Sequence, residues 1–368
     1  MNLRKDLVGA KRIVVKVGSN VITQPDGKCD LRRLRIIVED ICELLESGLE
    51  VVLVSSGAIN VGKAFLDKYL PNRIELQQSA SAIGQPKLIN KYTNLFEENE
   101  RICSQILLTH EDFKDRGRFL NAKKTIEVLL QNNVIPILNE NDTISFSDIS
   151  VGDNDHLAAQ AAQMVDADLL LIITSANGLY DRDPDEPGAE RIKYVPYGEN
   201  LEGINMKSKT PMGRGGMESK IAAIGKATQV GIKCLIASKD NGRIIIDPLT
   251  KELGTMFGVN QSEHTDRVAW LVTTKRHNCF IDVDQATYEA LQEEKPLLSN
   301  GIVDTEGCFS KGDCVDLRYE GKTFAVGLCE FSHKDVVKFK QKDTREVILK
   351  MNLVINEGVS HDRNSEEV

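Results

Sequence analysis

From residue 11 to about 238, continuous apolar runs alternate with segments of helical spacing, an order that few folds accommodate. "RIVVKV" is followed by Leu31, Leu34, Val38, Ile41 and Leu45, which recur at the helical interval and stop at Gly48. "EVVLVSSGA", "ICSQILLT", "NNVIPILNE", "ADLLLIIT" and "GIKCLIAS" continue the strand series, with helical stretches such as "FLNAKKTIEVLLQN" and "NDHLAAQAAQMV" between them. Because these runs are unbroken rather than alternating, the strands are expected to be buried on both faces. That predicts an α/β fold with a mostly parallel central sheet between two helix layers.

The pattern breaks at about 254–270. From His277 onward the segments are short and interrupted by Gly and Asp, as in "NGIVDTEGCFSKGDCVDLRYEGKTFAVGLCEF". This predicts a small β-rich domain. We therefore expect a first domain over 1–262, a second over 277–355, and a flexible tail over 356–368. A chain of 368 residues has room for both.

Charge and cysteine usage narrow the class of function. The net charge is −9, and acidic residues outnumber basic ones in the second domain as well. Both facts argue against nucleic acid or an anionic membrane as the main partner. No apolar run reaches membrane-spanning length, and "MNLRKDLVGAKR" lacks the apolar core of a secretory signal. Eight cysteines without a Cys-x-x-Cys pair read as reduced, mostly buried thiols of a cytoplasmic protein, with no protein metal site.

In a parallel sheet, ligands sit beyond the carboxyl ends of the strands. Five polar motifs are expected there. They are Lys16-Val17-Gly18-Ser19-Asn20, Ser55-Ser56-Gly57-Ala58, Asn139-Glu140-Asn141-Asp142, the Asp153-Asn154-Asp155 run, and "GRGGMESK" over 213–220. Taken alone, each has a structural reading. Lys16 would be a solvated strand end, Asp155 a helix cap, and Lys220 a surface lysine. All five at one sheet edge point instead to a shared site.

The glycine-rich run frees backbone N–H groups to meet phosphate at a helix amino end. It is neither of the common nucleotide motifs. The chain's single Gly-Lys-Thr, at 321–323, has Asp316 where a P-loop needs glycine, and Glu218 takes the third glycine position of a dinucleotide fingerprint. Two distant lysines with a glycine-rich loop suit phosphoryl transfer, which needs charge neutralisation and alignment more than a covalent nucleophile.

The set "VVKVGSN", "VSSGAINVG", "NENDTI", "VGDNDHLAA", "TSANGLYDRDP" and "GRGGMESK" resembles the amino acid kinase superfamily, most closely its glutamate 5-kinases. Residues 277 to about 355 resemble the PUA domain that many bacterial members carry. The resemblance implies a three-layer αβα kinase fold and transfer of phosphate from ATP to the side-chain carboxylate of L-glutamate, the first step of proline biosynthesis. It implies Lys16, Lys220 and Asp155 as the catalytic set, with Lys16 and Lys220 flanking the transferred group and Asp155 holding both. Ser56, Asp142 and Asn154 match glutamate-binding positions. Thr174, Ser175 and the stretch Arg214, Gly215, Gly216, Met217, Glu218, Ser219 and Lys220 match ATP-binding ones.

Mg²⁺ is expected to arrive on the nucleotide. Proline as feedback inhibitor, glutamyl phosphate reductase as a partner and a homo-oligomer are implied by the family alone. Two positions depart from the family: Ser175 replaces an Asp and Arg214 a Thr, which exchanges a carboxylate for a cation near the nucleotide. The alternatives are another amino acid kinase, such as an acetylglutamate kinase, or an RNA-binding PUA protein with a degenerate kinase domain. The intact Lys16, Asp155 and Lys220 favour the enzyme.

Overall fold

Strand β1 (Arg12–Val17) lies at the centre of the larger unit because its apolar residues face both ways. The computed structural model describes residues 3–66, 74–145, 153–183, 186–199, 201, 216–240, 242–259, 275–293, 295–311, 313–339, 344–349 and 353–355. The chain divides into two compact units, Met1–Ser262 and Glu263–Val368.

In the first unit β1 is followed by β2 (Glu50–Ser55), β3 (Ile102–Leu108), β4 (Val134–Glu140) and β5 (Leu169–Thr174). Next come a hairpin of β6 (Leu179–Tyr180) and β7 (Arg191–Ile192), then β8 (Tyr194–Val195), β9 (Lys233–Ser238) and β10 (Thr255–Phe257). Eight of these strands form one sheet in the order β3-β4-β2-β1-β5-β9-β10-β8. The β9–β10 pair is antiparallel and the other pairs are parallel.

Strand alternation sorts the side chains between two helix layers. Ile13, Val15 and Val17 join Val51, Leu53, Leu169, Leu171 and Ile173 in a core covered by α2 (Leu31–Glu46) and α4 (Ile74–Glu97). Helix α2 starts at Asp30, whose carboxylate accepts from Arg33 N at 3.1 Å, and ends before Gly48 at φ +86°. Val14 and Lys16 therefore face the opposite layer, which contains α7 (Asp153–Met164) and α8 (Met217–Gln229). Short α1 (Ser19–Ile22) and α3 (Ala58–Lys63) follow β1 and β2, α5 (His110–Lys114) and α6 (Arg116–Gln131) lie between β3 and β4, and α9 (Ile246–Thr250) precedes β10. This is the expected α/β architecture with a mostly parallel sheet.

One expectation fails at the sheet edge. "ICSQILL" reads as a strand buried on both faces, yet among the described residues β3 pairs only with β4 and leaves Ile102 68% exposed. An apolar run records composition, not the number of neighbours a strand acquires.

The second unit has its own core of Cys279, Ile281, Leu291, Val315, Leu317, Phe324 and Ile348. It contains β11 (Lys275–Val283), α10 (Gln285–Gln292), β12 (Leu297–Leu298), β13 (Ile302–Glu306), β14 (Cys314–Tyr319), β15 (Lys322–Leu328), α11 (His333–Phe339), β16 (Glu346–Ile348) and β17 (Leu353–Ile355). Five strands form a sheet in the order β13-β11-β14-β15-β17, and β12 pairs with β16. Arg318 is committed within the unit. Its guanidinium bonds Asp282 at 2.8 and 2.9 Å and Glu306 at 3.0 Å, and stacks over Phe280. Of the basic residues between 334 and 345, Lys338 pairs with Asp335 and Arg345 stacks on Phe339, while Lys340 and Lys342 lie outside the described residues. The tail over 356–368 also lies outside them.

Five of the eight cysteines are buried and only Cys308 is exposed. No helix among the described residues is long and apolar enough to cross a membrane.

Candidate active site

Lys16 ends the buried face of β1 in register with Val54 on β2 and Ile172 on β5, so neighbouring strands close it in on both sides. Its ammonium reaches the first turn of α7, where Asp155 Oδ1 lies 2.6 Å away. Lys220, in the first turn of α8, places its ammonium 3.1 Å from Asp155 Oδ2. One carboxylate thus holds two lysines from separate elements. Asp155 is 1% exposed, Lys16 5% and Lys220 6%. Such burial makes an unpaired ammonium costly, so the three groups depend on one another.

Asp155, which taken alone would read as a helix cap, meets both lysines instead. It stands inside the first turn of α7, and its carboxylate points to the two lysines. Burial alone would raise its pKa, but the Lys16 and Lys220 ammonium groups outweigh this and hold the carboxyl below the ordinary range. Burial and then the charge of Lys16 push Lys220 below the ordinary lysine value, and Asp155 restores only part of the loss. Three groups carrying one net positive charge suit a polyanion whose charge shifts during reaction.

Backbone hydrogen bonds tie the neighbouring strand ends to the end of β1. Gly18 N donates to Ile173 O at 3.2 Å, and Ser56 N donates to Val17 O at 3.1 Å, tying the ends of β5 and β2 to it. Ser56 is half-buried, and Gly57 follows it at φ +102°, a conformation that suits glycine. A Cβ on Gly57 would also lie 3.0 Å from Ile22 Cδ1.

Beyond β4, Asn139 Oδ1 accepts from Glu140 N at 2.9 Å and from Asn154 Nδ2 at 3.1 Å. Asn154 Oδ1 is buried and meets no donor among the described residues. Asp142 is 7% exposed, and its Oδ2 accepts from Ser81 Oγ at 2.7 Å. Ser56, Asp142 and Asn154 all lie beyond strand ends or at a helix start, as the sequence motifs imply.

On the other side of β1, Thr174 ends β5 and its carbonyl accepts from Lys239 N at 2.8 Å; half-buried Ser175 follows. Gly216 precedes α8, where Met217 is buried, Glu218 is exposed, and Ser219 Oγ donates to Gly216 O at 2.9 Å. A methyl placed on Gly216 would meet nothing within 4 Å among the described residues. A helix amino end favours an anion through the N–H groups of its first turn. Arg214 and Gly215 lie outside the described residues.

The fourth and fifth motifs lead into helices α7 and α8, as their sequences suggest. Their functional atoms reach the same place because both helices cover the β1 face that carries Lys16.

Sequence reading missed Ser81 and Gln85, both on α4. Gln85 Nε2 donates to Glu140 O at 3.4 Å, and its Oε1 accepts from Gln105 Nε2 at 3.1 Å. Nothing in "SASAIGQ" signals either contact. Among the described residues, no cluster of three or more His, Cys, Asp or Glu side chains is placed to hold a metal ion.

Comparison with known proteins identifies the family. The model of the amino acid kinase family matches residues 11–238, and that of the PUA domain matches 281–349. The glutamate 5-kinase of Syntrophotalea carbinolica is 37% identical over 369 residues, covering 98% of this chain and 99% of that one. The glutamate 5-kinase of Caldanaerobacter subterraneus is 39% identical, covering 91% and 92%. Among solved structures, carbamate kinase from Giardia lamblia bound to AMP-PNP shares the fold, with a TM-score of 0.50 and 21% identity over 68% of this chain and 99% of that one. This chain belongs to the amino acid kinase family, and within it to the glutamate 5-kinases, with a PUA domain after the kinase region.

Proposed function

We propose that this protein transfers the γ-phosphoryl group of ATP to the side-chain carboxylate of L-glutamate, giving L-glutamyl 5-phosphate and ADP, the first step of proline biosynthesis. The observation that carries the reading is the buried Lys16–Asp155–Lys220 arrangement, in which one carboxylate holds two lysines from separate elements. A glutamate carboxylate oxygen attacks the γ-phosphorus while the bond to the β–γ bridging oxygen breaks, and ADP leaves with that electron pair. The nucleophile is already ionised near neutral pH, so no general base is required.

The task of the chain is alignment and charge compensation. Lys16 and Lys220 flank the transferred group, and Asp155 holds them apart at fixed distances. Asp142 and the unpaired Asn154 Oδ1 offer acceptors suited to the α-ammonium of glutamate. Ser56 contributes to the same pocket. Thr174, Ser175 and residues 214–220 serve the nucleotide, with the amino end of α8 facing its phosphates. Mg²⁺ enters as part of the MgATP substrate and screens the phosphate oxygens.

Cytoplasmic location, a homo-oligomeric state, inhibition by proline and delivery of the product to glutamyl phosphate reductase belong to the same reading. ADP release by the purified chain across a panel of acids tests the substrate. Glutamate is expected to support turnover, whereas N-acetylglutamate and carbamate are not. Turnover with another acid and none with glutamate would overturn the assignment.

A further inference from the structure

Asp142 is nearly buried, and a neutral hydroxyl meets its carboxylate. Ser81 Oγ donates to Asp142 Oδ2 at 2.7 Å, and Ser81 is 1% exposed. An ionised carboxylate only accepts, so the hydroxyl proton belongs to Ser81. A hydrogen bond to a charged acceptor is both stronger and more directional than one between neutral groups.

Ser81 stands on a helix whose own position is tightly set. A Cβ on Gly84 would lie 1.8 Å from Ala58 O, and one on Gly62 would lie 1.7 Å from Ala80 O. Helices α3 and α4 are therefore in backbone contact beside Ser81. One turn further along α4, Gln85 reaches the Glu140 carbonyl and is itself held by Gln105 from β3. Two side chains of one helix thus grip the Glu140–Asp142 turn at two points.

We propose that Ser81 is a positioning residue for substrate recognition. By fixing the rotation of the Asp142 carboxylate, it presents that group to the α-ammonium of the amino acid. The proposal rests on reading Asp142 as a substrate-binding residue. Lys16 and Lys220 are held by Asp155, whereas Ser81 holds Asp142, so its effect should fall on amino-acid binding and leave the chemical step intact.

The test uses full-length protein and steady-state kinetics for Ser81→Ala, Asp142→Asn and the double variant. Removing a hydrogen bond to a charged group should raise the KM for glutamate about tenfold, with kcat and the KM for ATP within about twofold of the parent. Combined with Asp142→Asn, Ser81→Ala should add little, because both changes remove one interaction. Ser81→Cys, of similar size and a weaker donor, should fall between Ser and Ala, and it serves as the folded variant if Ser81→Ala does not accumulate. An unchanged glutamate KM in Ser81→Ala, alongside a raised KM in Asp142→Asn, would overturn the role of Ser81. Full additivity, or an equal loss of kcat and of ATP binding, would mark Ser81 as a general packing residue. An unchanged glutamate KM in Asp142→Asn would instead refute the underlying reading of Asp142.

Discussion

Lys16 is the last residue on the α7-facing side of β1, and that position gives its charge a target. Val14, two residues earlier, lies on the same face and is fully buried. Replacing Lys16 by alanine removes an ammonium group aimed at developing charge, so kcat should fall by about 10²-fold or more with folding intact. Lys220→Ala should behave alike, and steady-state kinetics with circular dichroism check both.

Asp155→Asn should affect stability as well as turnover. It leaves two buried ammonium groups without their counter-charge, which costs about 3–5 kcal/mol in comparable buried pairs. Urea unfolding measures the loss. Because the Asp155 carboxyl is held below its ordinary 3.8, its contribution to stability is complete above that value. It disappears as pH falls through the depressed value, and the variant should lack that part of the acid response. Lys220 titrates below its ordinary 10.5, so kcat/KM should decline on the alkaline side before free lysine would deprotonate. A pH–rate profile that stays flat through that region would contradict the shift.

Elements were legible wherever burial on both faces left an unbroken apolar run, as in "RIVVKV" and "ADLLLIIT". The grouping of Lys16, Asp155 and Lys220 was legible only through the motifs that carry the family resemblance, because taken alone each reads as a structural residue. The edge position of β3 was not legible, since its neighbours are set by topology and not by its own composition. Helix α4 was also missed. It carries small residues and Pro86 within its span, so its pattern lacks the clear apolar stripe of α2. What organises α4 is contact through missing side chains at Gly62 and Gly84. Gly84→Ala should therefore destabilise the protein by about 1–3 kcal/mol, the usual range for overpacking. It should also raise the glutamate KM by shifting Ser81. Chemical denaturation and kinetics on the same variant check both effects.

At the scale of the whole molecule, the two units have separate cores, and every candidate catalytic residue lies in the first. A chain ending near Asp266 should keep glutamate-dependent turnover, while regulation and assembly remain open to change. Loss of all turnover in a folded truncation would place an essential part in the second unit. That unit is acidic overall, and Arg318 is already bonded to Asp282 and Glu306. Any RNA binding should be weak and lost with salt. The most direct measurement of the chemistry is trapping of the acyl phosphate with hydroxylamine by the purified full-length protein and MgATP. Glutamate is expected to yield the γ-hydroxamate, with little formed by Lys16→Ala. Hydroxamate from N-acetylglutamate and none from glutamate would contradict the assignment.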